Sequence, residues 1–256
     1  MSTHVSRFVR GNTPLFLGSG AVTVALGLWY ALSLFRVAPP LFLPSPGATL
    51  TALWTLLADG RFFEGLWVSV LRVVSATAVA FVAGAALGVL MGVSSSADAF
   101  FRPLTEPFRY LPATALIPLL ILWFGVGELM KVTFLFVGIV FYVIPLVRDA
   151  VRSTPQEFIE VAKSFGMRKR DIVRSVYIPN ALPQAIDGLI VVNGIGWTYV
   201  VLAELVNGQD GLGYLIAIAG RLQRTDEVFA GLILIAAVAI VFDRTLRYVR
   251  EKYFFW

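Results

Sequence analysis

Long apolar runs are the feature of this sequence that most limits how the chain can fold. Hydrophobic residues make up 58% of the 256 residues, and charged residues make up only 14%. A soluble domain has a smaller apolar fraction, so the composition indicates a membrane protein. A spanning helix needs ~20 apolar residues, which leaves room for about six spans and for no separate soluble enzyme domain. We therefore expect an all-α, polytopic membrane protein with one transmembrane domain over residues 1–256.

The apolar runs predict six transmembrane helices, and the charges between them predict an orientation. The spans are expected at 14–35, 66–92, 107–124, 131–148, 181–206 and 227–246. With the N-terminus in the cytoplasm, 15 Lys and Arg residues fall in inside segments, 5 fall in outside segments, and Arg72 lies within a span. Because cytoplasmic loops carry the excess of Lys and Arg, this bias predicts that both termini are cytoplasmic. The first run exceeds the ~7–15 apolar residues of a signal peptide, so we expect a retained span.

Several kinds of catalytic and metal site are excluded by the residues that the sequence lacks. It contains no cysteine, and His4 is its only histidine. Thiolate metal sites, histidine clusters and Ser–His chemistry within the bilayer are therefore excluded. No lysine follows a glycine, so the sequence also lacks the Gly-Lys end of a nucleotide-binding phosphate loop. We expect no catalytic residue, no metal site and no cofactor in this chain.

The segment 154–183 is a basic and polar island between two apolar spans. Thr154 and Glu157 have the spacing of a capping box, which predicts that a helix begins there. Gly166 is well placed to end this helix in a left-handed backbone conformation. We therefore expect a short helix at 155–165, on the cytoplasmic side of the membrane.

One face of this short helix is predicted to be apolar. Its apolar residues follow one another at spacings of 3, 1 and 3: Phe158, Val161, Ala162 and Phe165. Such a stripe is typical of a helix that lies on a membrane surface or in a groove of a partner protein. A basic stretch over 168–174 follows it, and Pro179 then leads back into the membrane.

The same segment resembles the EAA loop of ABC importer permeases. That pattern has Glu-Ala-Ala, three residues, Gly, nine residues, an aliphatic residue, one residue, an aliphatic residue and Pro. The residues with these spacings here are Glu160, Val161, Ala162, Gly166, Val176, Ile178 and Pro179. Val161 is the one departure, because the family most often has Ala there. The resemblance implies that the residues which contact an ATPase are Glu157, Phe158, Glu160, Val161, Ala162, Phe165, Gly166 and Pro179.

Other stretches are similar to the sulfonate, taurine and nitrate branch of these permeases, namely 112–128, 203–204 and 211–216. The resemblance implies a type I importer fold with six spans and a cytoplasmic coupling helix, located in a bacterial inner membrane. It also implies a second permease subunit, expected to be an identical copy, and an external substrate-binding protein. Two cytoplasmic ATPase subunits would bind ATP and Mg²⁺.

These features together predict a transport subunit, not an enzyme, that takes up a small anion of the sulfonate, taurine or nitrate class. One alternative is the same role for a non-anionic solute such as riboflavin or a pyrimidine precursor. The other is a secondary transporter driven by an ion gradient, which needs a midplane ion site and often has internal repeats. Neither feature is evident, and a secondary transporter would leave the segment 154–183 unexplained.

The translocation path is expected to use polar groups within the spans, where ionisable residues are costly and often functional. Asn193, Trp197 and Glu204 are spaced by 4 and 7, which predicts one shared helix face that lines a pore or forms a helix–helix seam. Arg72 is a further candidate, either for attracting an anion or as a side chain that snorkels to the interface. Asp187 and Asp243 are expected to pair with nearby arginines.

Glycines predict two further features. Gly84, Gly88 and Gly92 recur every four residues, which predicts a helix face that packs closely against a neighbouring helix. The glycine-containing loop over 207–226 is expected to be external and to form part of a gate or a dock for the binding protein.

Overall fold

The computed structural model describes the backbone of residues 2–254 and the side chains of residues 18–206 and 208–254. Its α-helices are α1 (Ser2–Leu34), α2 (Pro46–Ala58), α3 (Arg61–Val93), α4 (Ser95–Thr105), α5 (Ile117–Phe124), α6 (Glu128–Arg152), α7 (Gln156–Ser164), α8 (Lys169–Ile172), α9 (Ile178–Asn207), α10 (Leu212–Arg221) and α11 (Thr225–Tyr253). Two 3₁₀ turns (Pro107–Tyr110 and Ala113–Leu116) and one π turn (Val173–Tyr177) complete the described elements. The predicted all-α class is confirmed.

Four helical segments in the described part of the chain are long and apolar enough to cross a membrane. They are Arg61–Val93, Glu128–Arg152, Lys169–Val206 and Thr225–Tyr253. A bent pair of helices would make a fifth span, and Gly18–Leu34 is a shorter apolar helix. The predicted number of six spans is therefore not confirmed. The first four residues of the predicted span 14–35 lie outside the described side chains.

The third predicted span, 107–124, is wrong as a single helix. The helical segments Ser95–Tyr110 and Ala113–Phe124 meet there at an angle of 97°. The break falls at Leu111 and Pro112, whose backbones are both extended. Proline disfavours the helical conformation of the residue before it and supplies no N–H donor, so the helix ends at this point.

The glycine face of α3 packs directly against α6. A Cβ at Gly84 would lie 2.8 Å from the side chain of Val143, and one at Gly92 would lie 2.6 Å from that of Val151. Gly88, between them, faces the α6 backbone at a similar distance. No real side chain fits at such distances, so the predicted close packing is confirmed.

Helices α3, α6 and α9 share an apolar core. Its buried members are Ala80, Met91, Ile139, Val140, Val143, Ile144, Val147, Ala150, Val151, Ala181, Ala185 and Val192. On α6, Gly138 lets Tyr199 of α9 approach so closely that an added Cβ would lie 2.5 Å from its ring. The three helices therefore form one bundle, and the candidate functional residues lie at its two ends and along α9.

The chain divides into two compact units. They are Met1–Arg61 with Ile216–Ile233, and Phe62–Leu215 with Leu234–Trp256. In the first unit, the Trp29 indole donates a hydrogen bond to the carbonyl of Pro44 at 3.0 Å, and its ring lies 5.7 Å from that of Phe229. The second unit contains the residues that are predicted to contact an ATPase and those predicted to line the translocation path.

Candidate functional site

Helix α7 begins without the capping box that the sequence predicts, and that prediction is wrong. Pro155 occupies the N-cap position, and no side chain caps the helix. The Thr154 side chain is buried, and its hydroxyl has no hydrogen-bond partner among the described residues. The helix starts at Gln156, one residue later than expected, so Thr154 lies outside the position from which a hydroxyl reaches the first free N–H groups.

The end of α7 confirms the role predicted for Gly166. Its φ angle is +73°, in the left-handed region that glycine adopts without strain. The N–H of Gly166 donates to the carbonyl of Lys163 at 2.9 Å, and the N–H of Met167 donates to that of Ala162 at 3.2 Å. This pair of bonds satisfies the last carbonyls of the helix and sends the chain sharply away from its axis.

The predicted apolar stripe of α7 is divided between two faces. Ile159 and Ala162 are buried against Ile172, at the start of the following helix. The remaining apolar side chains are 50%, 54% and 81% exposed, and we call them the α7 surface: Phe158, Val161 and Phe165. Glu157 and Glu160 are also exposed. Ala162 therefore fixes α7 to its own chain, while the α7 surface is left uncovered by it.

The segment after α7 is one continuous helix, Lys169–Val206, rather than a loop followed by a span at 181–206. A π turn interrupts its regular bonding where the N–H of Ile178 donates to the carbonyl of Val173. The turn lies immediately before Pro179, which has no N–H to continue the usual pattern. Helix α7 therefore packs on the base of a helix that continues into the bundle.

A cluster of charged and polar groups lies at the opposite end of the bundle, where α3 and α6 begin and α9 ends. We call it the charge network, and its members are Ser69, Arg72, Glu128, Lys131, Glu204 and Asp210. Arg72 is 2% exposed and Glu204 is 0% exposed. Charged groups this deeply buried are stable only when they are paired and hydrogen-bonded.

Arg72 is paired on every side by carboxylates. Its Nη1 donates to Glu204 Oε1 at 2.7 Å, its Nε donates to Glu128 Oε2 at 2.7 Å, and its Nη2 donates to Asp210 Oδ1 at 2.5 Å. Lys131 brings a second cation, with Nζ 3.0 Å from Glu128 Oε1. The interpretation that Arg72 snorkels to the interface is wrong, because its guanidinium is buried and paired inside the chain.

The Glu204 carboxylate is enclosed by the chain that follows α9. Ser69 Oγ donates to Oε1 at 2.8 Å, and the N–H of Gly213 donates to Oε2 at 2.7 Å. The N–H of Leu212 donates in turn to Ser69 Oγ at 2.9 Å. Gly211 has a φ of +103°, and a Cβ there would lie 2.3 Å from the Glu204 carboxyl carbon. The glycine at position 211 therefore allows the backbone to approach the buried Glu204 carboxylate. The segment 207–226, which the sequence predicts to be a loop, contains the helix α10.

The face of α9 predicted to line a pore is packed inside the chain. Asn193 and Trp197 are 5% and 2% exposed, and the ring of Trp197 lies 5.3 Å from that of Phe242. Asn193, Trp197 and Glu204 do share a buried face, as the seam alternative describes, and their role in a path stays a prediction. The face that α9 leaves exposed is a different one: Gln184, Asp187, Val191, Gly194 and Thr198. Hydropathy does not mark this exposed face, because the face mixes polar side chains with a valine and a glycine.

Two other acidic residues pair as predicted. Asp187 Oδ1 accepts from Arg250 Nε at 2.9 Å, and Asp243 Oδ2 accepts from Arg247 Nε at 2.7 Å. Both pairs have a second bond between the same two side chains. These pairs account for both carboxylates as structural groups.

Binding-protein-dependent transport system inner membrane components are a family whose pattern matches residues 80–254. The chain belongs to this family. It is 32% identical over 245 residues to the taurine transport system permease protein TauC of Escherichia coli. This alignment covers 94% of this chain and 89% of TauC. It is 30% identical over 237 residues to a candidate aliphatic sulfonates transport permease of Bacillus subtilis, and this alignment covers 91% of this chain and 84% of that protein.

Solved structures with a similar fold are ABC transporters. An inward-facing conformation of the MetNI methionine ABC transporter gives a TM-score of 0.66 at 20% identity, over 73% of this permease and 94% of that chain. A crystal structure of an amino acid ABC transporter with histidines gives a TM-score of 0.62 at 20% identity, over 78% of this permease and 96% of that chain. The resemblance seen in the sequence is confirmed: this permease is an inner-membrane transport subunit and not an enzyme.

Proposed function

We propose that this permease imports its substrate by alternating access, driven by ATP, and that the α7 surface docks on a partner ATPase. The observation that carries the proposal is the exposure of Phe158, Val161 and Phe165 on a helix whose other face is fixed to its own chain. A partner that moves α7 would therefore move the base of the helix that contains α9. Glu160 and Gly166 serve this contact by orienting the helix and by turning the chain after it.

The acidic residues of α7 favour a protein groove over the membrane surface as the partner of this helix. A helix that lies on a membrane carries Lys and Arg on its polar face, because the cytoplasmic leaflet is anionic. Glu157 and Glu160 are exposed beside the α7 surface instead. An amphipathic helix with exposed apolar anchors at this spacing is typical of binding in a groove.

The proposed complex contains two copies of this permease, two cytoplasmic ATPase subunits that bind ATP and Mg²⁺, and an external substrate-binding protein. Residues 1–256 act in it as one permease domain. The excess of Lys and Arg in the predicted inside segments supports cytoplasmic termini and a cytoplasmic α7. The charge network then lies at the external end, where Arg72 and Glu204 hold the ends of α3 and α9 together as part of an external gate.

The proposed substrate is a small anion of the sulfonate, taurine or nitrate class. The names of two relatives, one for taurine and one for aliphatic sulfonates, support this class. Family membership favours an ABC permease over a secondary transporter, and no observation favours riboflavin or a pyrimidine precursor.

Uptake by the complete complex in proteoliposomes tests the proposal. Labelled taurine, an alkanesulfonate and nitrate are offered with the binding protein outside and ATP inside. Uptake of at least one anion is expected, and it should stop when the ATPase is inactivated by substitution while an imposed proton gradient is intact. Uptake that continues under the proton gradient alone would contradict the proposal and indicate a secondary transporter.

A further inference from the structure

A small cavity lies between Arg109, in the 3₁₀ turn Pro107–Tyr110, and helices α6 and α9. Its volume is about 210 Å³, and its lining includes Arg109, Tyr142, Leu146, Asp149, Val191 and Ile195. The turn comes directly before the 97° bend between the segments Ser95–Tyr110 and Ala113–Phe124. Arg109 is therefore the residue that this irregular part of the chain contributes to the wall of the cavity.

The cavity extends from the middle of α6 towards the C-terminal end of that helix. Tyr142 is in the central part of α6 (Glu128–Arg152), Asp149 is near its end, and Val191 is in the central part of α9 (Ile178–Asn207). Arg109 is exposed, and its guanidinium carbon lies 5.8 Å from the centre of the Tyr142 ring.

Arg109 has no carboxylate partner, in contrast to Arg72. Among the side chains that the structure describes, none forms an ion pair with Arg109. Asp149 is the acidic group of the cavity, and its Oδ1 lies 2.9 Å from Arg148 Nε. Glu106, one turn before Arg109, also pairs with Arg148, at 3.1 Å. The ion pairs described here join three arginines to three carboxylates, namely Arg102, Arg148 and Arg152 to Asp98, Glu106 and Asp149. Arg109 is a fourth cation and lies outside these pairs.

We propose that this cavity binds the transported anion during translocation, with Arg109 as the group that holds its sulfonate or other oxyanion head. The proposal rests on the proposed function and adds a site to it. A guanidinium offers a planar fork of donors that suits oxyanions better than the point charge of lysine does.

The size and the apolar wall of the cavity select the remainder of the solute. A volume of 210 Å³ is below the ~300–1,000 Å³ of sites for drug-sized ligands, so the solute has few heavy atoms. Leu146, Val191 and Ile195 form an apolar wall beside the charged group. A short alkyl chain with an anionic head fits both surfaces, and Val191 lies on the exposed face of α9.

Substitution of Arg109 in the reconstituted complex tests this site. With labelled taurine as the probe, Arg109→Gln is expected to lower uptake by about tenfold or more, the range seen when one member of a charge pair is removed. Arg109→Lys is expected to retain part of the uptake with a raised KM for taurine, because the charge remains and the fork is lost. Arg244→Gln, an exposed arginine on α11 outside the cavity, is the matched control and should leave uptake unchanged.

Two further measurements separate this site from a structural role and from the proposed function. ATP hydrolysis stimulated by the loaded binding protein should be retained in Arg109→Gln, since the α7 contact is intact. If the wild-type complex and the Arg109→Gln variant take up taurine equally well, the proposed site is wrong and the proposed function still stands. Failure of the wild-type complex to take up any of the three anions overturns the proposed substrate class. If Arg109→Gln does not assemble, an unchanged KM in Arg109→Lys overturns the site.

Discussion

The charge network and the α7 surface lie at opposite ends of one bundle, and they differ in where their partners are found. Arg72 and Glu204 are buried, and all their partners belong to the same chain. Phe158, Val161 and Phe165 are at least half exposed, so the part of the chain that the structure describes does not bury them. The comparison shows that the chain neutralises its most costly charges by itself and leaves an apolar contact for another protein.

The difference follows from the solvent around each region. Within a bilayer there is no water to satisfy a charge, so a buried guanidinium must be paired before the fold is stable. Outside the bilayer, a few exposed apolar side chains do not prevent folding, and a cluster of them indicates an interaction site. We therefore expect substitutions in the charge network to change stability, and substitutions in the α7 surface to change association.

The largest expected effect is the loss of the buried ion pair. Arg72→Met leaves Glu204 buried without its cation, and should lower the free energy of unfolding by about 3–5 kcal/mol. The double variant Arg72→Met/Glu204→Met should lose less than the single variant, because no fully buried carboxylate is left without its cation and Lys131 still pairs with Glu128 and Asp210. Reversible unfolding in mixed micelles measures both values.

The matched control for this experiment is an exposed ion pair. Arg224 and Glu227 lie 3.3 Å apart, and the arginine side chain is 55% exposed. Arg224→Ala should therefore change the free energy of unfolding by about 0–1 kcal/mol. Equal losses in Arg72→Met and Arg224→Ala would mean that the charge network does not stabilise the fold.

The next largest effect is expected at the glycine beside Glu204. Gly211→Ala adds both positive-φ strain and a Cβ 2.3 Å from the carboxyl carbon of Glu204. Gly60→Ala adds strain alone, because φ is +81° there and nothing lies within 4 Å. We expect a loss of about 1–2 kcal/mol for Gly60→Ala and about 3 kcal/mol or more for Gly211→Ala. Losses of the same size would show that the carboxylate does not need this close backbone approach.

The smallest expected effect on stability is at the α7 surface. Phe158→Ala/Phe165→Ala should change the free energy of unfolding by only about 0.5 kcal/mol, because both rings are exposed. The same variant should weaken co-purification of the ATPase by about tenfold or more, as is typical when aromatic anchors are removed. Ser164→Ala, on the same helix, is the control. Undiminished ATPase binding by the double variant would sink the docking proposal.

The features that the sequence predicts well depend on short spacings. Gly166 ends α7 because the position after the C-cap favours a left-handed residue, and glycine adopts that conformation without strain. Gly84 and Gly92 pack on α6 because residues four apart share a helix face. Thr154 shows the limit of such reasoning, since a shift of the helix start by one residue removes its capping role.

The features that the sequence does not predict depend on distant pairing. Arg72 and Glu204 are 132 residues apart, and no local pattern connects them. Likewise, periodicity groups Asn193 and Trp197 on one face of α9, but it does not say whether that face is directed at the core or away from it. The apolar composition of α9 is similar on all sides, so only its packing against α6 decides which face is buried.

By itself, the sequence determined that this protein is helical and built for a membrane, because its apolar composition is enough for that. The spacing of residues 160–179 carried the resemblance to ABC importer permeases. The tertiary structure alone decided that Arg72 is neutralised within the chain, whereas Arg109 forms no ion pair with the described side chains. Arg72 is buried and Arg109 is exposed. They differ in which distant carboxylates the folded helices bring within hydrogen-bond distance, and one sequence position carries no information about that.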